Sequence, residues 1–325
     1  MGNGPAGYTR SPFGPNVSAA PAASGPRPTV ARPTVLVVGA ASRDVTTADP
    51  RGWRLGGAVT YGSLTLARFG LRVRALVGVD RDASNAGELD LLREAGVEVA
   101  LAPLAHGPVF ENIERPDGRR QRCLSAADPI AVTQLPAGWR ATDALFLGPV
   151  AAELGPEWAG LPAPFVALGW QGLLRRLVAG SDVQRVDPAP SPLLDAAGLV
   201  GVSIDDIDPG TRLSALVDLI MPGAALVVTR GDRGGTALTS RRPARSALRA
   251  YPAIPPNRVV DATGAGDVFL AALLASTIDP SRIGTDDMAA RLRLAASAGS
   301  LAVEGPGLVG VPTLDAVRRR AGEVA

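Results

Sequence analysis

"VVDATGAGDVFLAALLAS", residues 259–276, is the stretch from which the rest of the chain is most readily read. A short apolar run meets two carboxylates, Asp261 and Asp267, that flank Gly264, Ala265 and Gly266, and an Ala/Leu-rich segment follows. That segment is apolar on nearly every side, so the pattern predicts a buried helix beginning at the glycines. Unpaired N–H groups at a helix start converge on one locus, and the helix dipole favours an anion there. The stretch therefore has the makings of a phosphate or oxyanion cradle. Asp267 lies in the first turn beside it, where its carboxylate can take a proton from a hydroxyl attacking a bound phosphoryl group. The alternative on these residues alone is that Asp267 caps the helix and the glycines only permit a tight turn.

Outward from this stretch the chain alternates strand-like and helix-like segments. "TVLVVGA" (34–40) is a β-branched apolar run of the kind found in parallel strands buried on both faces. "GGAVTYGSLTLARFG" (56–70) opens on glycines and turns helical, "VRALVGV" (73–79) is a strand, and "AGELDLLREAG" (86–96) is an amphipathic helix closed by glycine. Further strands are expected at 144–148, 164–169, 198–203 and 224–229. The alternation predicts a doubly wound α/β sheet flanked by helices. Residues 97–130, with alternating runs around "PDG", break the rhythm and read as a hairpin belonging to a small β flap.

Composition narrows the chemistry. The chain has 325 residues, 46% hydrophobic and 20% charged, with a net charge of +2 and dispersed arginines, which disfavours nucleic acid as a partner. It contains no lysine, so a Walker-type phosphate loop, a Schiff-base nucleophile and a pyridoxal site are all excluded. One cysteine, Cys123, and one histidine, His106, cannot make an intrachain disulfide or a Cys/His zinc site. His106, in the Gly/Pro-punctuated "LAHGPVF", reads as a solvated loop residue. Catalysis is expected from carboxylates. Residues 1–32 are rich in Pro, Gly, Ala and Ser and read as a disordered leader. Neither a signal-peptide core nor a run of about 18 to 20 apolar residues is evident. A cytoplasmic location without membrane contact is expected.

The Asp-x-Thr-Gly-Ala-Gly-Asp run before a buried helix strongly resembles the signature of the ribokinase-like, or PfkB-type, carbohydrate kinases. The resemblance extends over residues 33–316 and implies a ribokinase-like fold: one kinase domain, a flap or lid from about 43–56 and 97–130, and a C-terminal tail at 317–325. By it, Asp267 is the catalytic base, and the backbone of Gly264, Ala265 and Gly266 is the anion hole. Asp44, five residues after Gly39, falls where members grip substrate hydroxyls, a role a carboxylate suits because it accepts two hydrogen bonds. Gly56 and Gly57 match the Gly-Gly that lets substrate approach bare backbone; both positions also read as plain turn residues. Thr229, Gly231 and Gly234 in "VVTRGDRGG" resemble the nucleotide-phosphate turn. Ser203 and Asp206 in "VSIDDID" stand at the positions of an Asn-x-x-Glu that organises magnesium and its waters.

The implied cofactors are ATP and Mg2+. In several members an Asp at the position of Asp261 also helps hold a monovalent cation such as K+. The resemblance implies an ATP-dependent phosphotransferase acting on a hydroxyl of a sugar or related polyol. A nucleoside acceptor and a catalytically inert, kinase-like binding protein are the alternatives. Tyr61 stands where ribokinases carry Asn, which speaks against a ribose-specific site. The polar flap with Phe110 and Asn112 reads equally as a cover for the site and as a homodimer edge.

Overall fold

The computed structural model describes residues 31–115, 118–240, 247–285 and 287–323. The leader expected over 1–32 falls almost wholly outside the described residues. So do Pro116 and Asp117 of the flap turn.

Among the described residues, nine strands form the central sheet. It is built outward from β1 (Thr34–Ala40), whose residues from Val35 on are all buried, as a strand covered on both faces requires. On one side of β1 run β4 (Arg72–Val79) and then β5 (Glu98–Pro103). On the other run β8 (Ala144–Leu147), β9 (Val166–Gly169), β13 (Leu199–Ser203) and β14 (Ala225–Thr229). These seven are mutually parallel. The antiparallel pair β15 (Gly235–Thr239) and β16 (Ala247–Tyr251) finishes the edge. The chain moves outward from β1 first one way and later the other. The crevice between the carboxyl ends of β1 and β8 is therefore a topological switch point, where open α/β sheets bind ligands.

A five-stranded second sheet stands apart from the first, ordered β11 (Ser181–Asp182), β7 (Gly118–Ser125), β6 (Val109–Arg115), β2 (Ser42–Val45) and β3 (Trp53–Gly56). The two-residue strands β10 (Arg175–Arg176) and β12 (Gln184–Arg185) pair beside it. This is the small sheet expected of a flap, with one correction to its bounds. Residues 98–103 belong to the central sheet, where β5 pairs parallel to β4, so the second segment of the flap begins at Val109. β5 is an edge strand, largely exposed along its length, and edge strands alternate much as hairpin strands do. That likeness is why its sequence reads as flap.

The helices are α1 (Ala58–Arg68), α2 (Glu88–Glu94), α3 (Pro192–Ala196), α4 (Leu213–Val217), α5 (Ala265–Ile278), α6 (Pro280–Ile283), α7 (Met288–Ala302) and α8 (Leu314–Glu323). α5 is buried continuously from Val268 to Ser276 and touches β9, β13, α1 and α7. It is a central pillar, packed on all sides from Val268 onward, which fixes where its N-terminus opens. Residues 317–323, expected to be a tail, are instead the body of α8. Val317 is fully buried and α8 packs on α7. The segment is strongly charged, which disguised its single apolar stripe. No helix among the described residues is long and apolar enough to cross a membrane.

Candidate active site

Every carboxylate singled out in the sequence lies beyond the carboxyl ends of the parallel strands or at the helix start facing them. β1 ends at Ala40 and the chain turns directly into the small sheet, so Asp44 on β2 stands just above the switch point. The Ser42 hydroxyl donates to Asp44 Oδ1 at 3.3 Å. Gly56, opposite Ser42 on β3, leaves room for that pair, because a Cβ there would collide with the Asp44 carboxylate and lie 2.9 Å from Ser42 Oγ. Gly57 has a different task. It caps α1 with φ 96°, and a Cβ on it would strike the Ala40 carbonyl, so it permits the close turn from β3 into the helix.

At the helix start, Gly264 is the N-cap of α5 in the left-handed conformation, φ 77°. A side chain there would run into the ring of Tyr61, which lies directly against the glycine. Gly266 faces open space, and a Cβ on it would meet nothing within 4 Å. The cradle is thus tight beneath and accessible above. Asp267 lies in the first turn, and no described group hydrogen-bonds to its carboxylate. A capping residue would accept backbone N–H groups, so the capping alternative has no support in the geometry. Desolvation raises its pKa from 3.8 to about 7, with Asp206 and Asp44 adding to the rise and Arg175 opposing it. A carboxylate tuned to neutrality is suited to accept a proton at physiological pH.

Asp206 is buried just past β13 on a short turn, Ile204–Asp206, in which the Asp205 N–H donates to Ser203 Oγ at 3.2 Å. Its Oδ1 receives the Arg175 guanidinium at 2.9 Å, and Gln171 Nε2 reaches its two oxygens at 3.2 and 3.4 Å. Arg175 also donates to Gln121 Oε1 on β7 at 3.0 Å, and Gln121 donates to Asn112 Oδ1 on β6 at 3.0 Å. One polar chain therefore runs from the flap through Arg175 to the carboxylates. A carboxylate has about four lone-pair positions, so Asp206 can still accept water from a hydrated magnesium ion; its hard oxygens suit that ion. Thr229 pairs in register with Ser203 at the same sheet edge, and its hydroxyl donates to the Val202 carbonyl at 3.4 Å. Gly231, φ 57°, is open to solvent. Gly234, φ 75°, is packed against the backbone of Tyr251 to Ala253, so it serves the turn.

Three residues of this neighbourhood were not singled out from the sequence. Arg175 and Gln171 follow β9 in "GWQGLLRR", and their place just past a strand's carboxyl end was the available signal. Glu153 is fully buried in the connection between β8 and β9, accepting N–H groups of Ala40 (2.9 Å), Val150 (3.1 Å) and Ala151 (2.8 Å). Burial raises its pKa against those hydrogen bonds. It ties the ends of β1 and β8 together across the switch point, and a lone Glu in "PVAAELG" gives no sign of that in sequence. His106 is exposed beside Asp128, and Cys123 is buried in the flap.

Comparison with known proteins bears on the fold. Residues 195–314 match the pfkB family carbohydrate kinase pattern. No curated protein sequence matches. Among solved structures, a pyrophosphate-dependent kinase in the ribokinase family, complexed with a pyrophosphate analog and myo-inositol, aligns with TM-score 0.66 at 18% identity, covering 87% of this chain and 99% of its own. The nucleoside kinase of Methanocaldococcus jannaschii aligns with TM-score 0.61 at 16% identity over 89% and 98%. Arabidopsis thaliana ribokinase, complexed with ribose and ATP, aligns with TM-score 0.59 at 18% identity over 90% and 99%. The resemblance read from the motifs is borne out, and the fold is that of the ribokinase family.

Proposed function

We propose that this ribokinase-fold chain is an ATP-dependent phosphotransferase that phosphorylates a hydroxyl of a sugar or related polyol, with Asp267 as the general base. The observation that carries the reading is the state of Asp267: desolvated, titrating near 7, without a hydrogen bond from any described group, and adjacent to the helix start at Gly264 and Gly266, where Gly266 faces open space. The acceptor lies between Asp44 and the helix start, with one hydroxyl directed at Asp267. Asp44 accepts hydrogen bonds from neighbouring hydroxyls and so fixes which one is presented. Asp267 takes that hydroxyl's proton as its oxygen bonds to phosphorus and the bond to the leaving phosphate oxygen breaks. The glycine N–H groups receive the charge on the transferred phosphoryl oxygens. The donor runs along the edge formed by Ser203, Thr229 and Gly231. Magnesium would be held through its waters by Asp206 and would supply charge neutralisation for the phosphates. The Asn112–Gln121–Arg175 chain draws the flap toward the same locus, excluding water as a competing acceptor.

The polyol reading is preferred to a nucleoside because the aromatic side chains nearest the site are already committed. Tyr61 underlies Gly264, and Trp53 lies against the guanidinium groups of Arg43 and Arg51. The test is product formation from magnesium-ATP, and separately from inorganic pyrophosphate, against pentoses, hexoses, inositols and nucleosides, with Asp267→Asn as control. Turnover of a polyol by the native chain, lost in the variant, is the expected result. Turnover that survives in the variant removes Asp267 from the role of base, and silence with every acceptor favours the inert reading.

A further inference from the structure

Asp261 begins the turn that leads into the cradle, and the resemblance drawn from its motif implies a monovalent cation beside it. The arrangement does not fit such an ion. Asp261 Oδ1 accepts the Thr263 N–H at 2.9 Å, and Oδ2 accepts the Gly307 N–H at 3.1 Å. The guanidinium of Arg54 lies 3.6 Å from Oδ2, with the two side chains only 28% and 22% exposed. Arg54 reaches this point with its stem against Gly307, where a Cβ would lie 3.7 Å from Arg54 Cδ. A positive charge already faces the carboxylate, and it is covalently part of β3, the strand that edges the small sheet.

We propose that Arg54 is a built-in cation for the turn that carries the oxyanion cradle, supplying from the flap the charge that a bound monovalent ion would otherwise supply. Two consequences follow. The chain needs no potassium, because a carboxylate with both oxygens hydrogen-bonded and an arginine on its flank has little left to offer as a direct ligand, whereas Asp206 is asked only to accept hydrogen bonds from the waters of a metal. The order of the 261–264 turn is also tied to the position of the flap, since the guanidinium meets Asp261 only while β3 lies against the 304–307 turn. A free ion could not make that connection. Arg54 is thus a positioning residue: it acts on the Gly264–Gly266 N–H groups through Asp261.

The inference rests on the kinase reading for its activity arm only. The experiment measures the melting midpoint and, with the best acceptor, kcat, in potassium, sodium and choline chloride at equal ionic strength. It uses the native chain, Arg54→Ala and Arg54→Lys, each with and without low-millimolar guanidinium. The native chain is expected to behave alike in all three salts. Arg54→Ala should melt about 2 °C lower and turn over about fivefold more slowly. Guanidinium should restore part of both losses, and Arg54→Lys should keep most of both. Selective stabilisation or activation of the native chain by potassium overturns the proposal. So does an Arg54→Ala variant that matches the native chain, or one whose losses guanidinium leaves untouched. If no acceptor is ever turned over, the kinase reading fails while the melting measurements still decide this one.

Discussion

The turn at 261–263 and the helix start at 264–267 are neighbours in one short motif, yet their two carboxylates live in opposite circumstances. Asp261 is fully engaged, with Thr263 and Gly307 N–H groups on its oxygens and Arg54 alongside. Asp267 is engaged by nothing that would hold it, and its environment is hostile to charge. A folded chain keeps such a group only against its own stability, since desolvation without compensating hydrogen bonds costs free energy. The difference separates a carboxylate that builds a loop from one available for chemistry, six residues apart and indistinguishable by residue type.

The strongest way to break that comparison is Asp267→Asn. With its base removed, kcat should fall about 10²–10⁴-fold. Stability should move the other way. The folded-state pKa lies above the unfolded one, so the native Asp267 disfavours folding progressively as pH rises from about 4 through about 7. The variant is therefore expected to melt at or above the native temperature at pH 8, with the advantage shrinking toward pH 4. A variant that loses both activity and stability at pH 8 would mean that Asp267 is a structural residue like Asp261.

The same titration predicts the rate profile. Because the base must be ionised, kcat/KM should be level above about pH 7 and fall about tenfold per pH unit below it. A limb centred near 4, the ordinary carboxylate range, would show that substrate-free desolvation does not set the working pKa.

Gly264→Ala comes next. It places a side chain at φ 77° and against the Tyr61 ring, so both backbone strain and a collision oppose it. About 1–3 kcal/mol of stability should be lost, with activity reduced as the cradle is displaced. Gly266→Ala, whose Cβ meets open space, should be tolerated in stability; the pair of melting curves distinguishes a tight floor from an open mouth.

How much of this was legible beforehand follows from what each feature depends on. The buried strands and α5 were readable because their burial is written in local apolar runs, as in 34–40 and 268–276. Asp44, Asp206 and Asp267 were singled out because each follows a strand end or opens a helix within a run that resembles a family motif. Residues that act across the fold were hidden. Arg54 meets a partner more than two hundred positions away, and Arg175 joins Gln121 on the flap to Asp206 on the body. No local pattern encodes either pairing. The edge strand β5 and the helix α8 were misjudged for a related cause: an element with one narrow apolar face looks locally like a hairpin arm or a polar tail until the surface it packs on is known.

The finest test of the opening comparison lies within Asp261 itself, between Asp261→Asn and Asp261→Ala. Asn keeps a side-chain oxygen for the Thr263 N–H, the bond that shapes the turn, but places an NH2 where Oδ2 accepts from Gly307, so it gives up that bond together with the charge that faces Arg54. Ala gives up both hydrogen bonds together. A partly exposed ion pair is worth under about 1 kcal/mol, whereas two lost hydrogen bonds to backbone N–H groups cost about 1–3 kcal/mol. Asp261→Asn should therefore melt below the native chain and Asp261→Ala lower still, with the pH profile of turnover keeping its limb near 7 in both. If the limb moves with either change, Asp261 takes part in setting the charge at Asp267, and the division between a building carboxylate and a reacting one is less complete than their separate hydrogen bonds indicate.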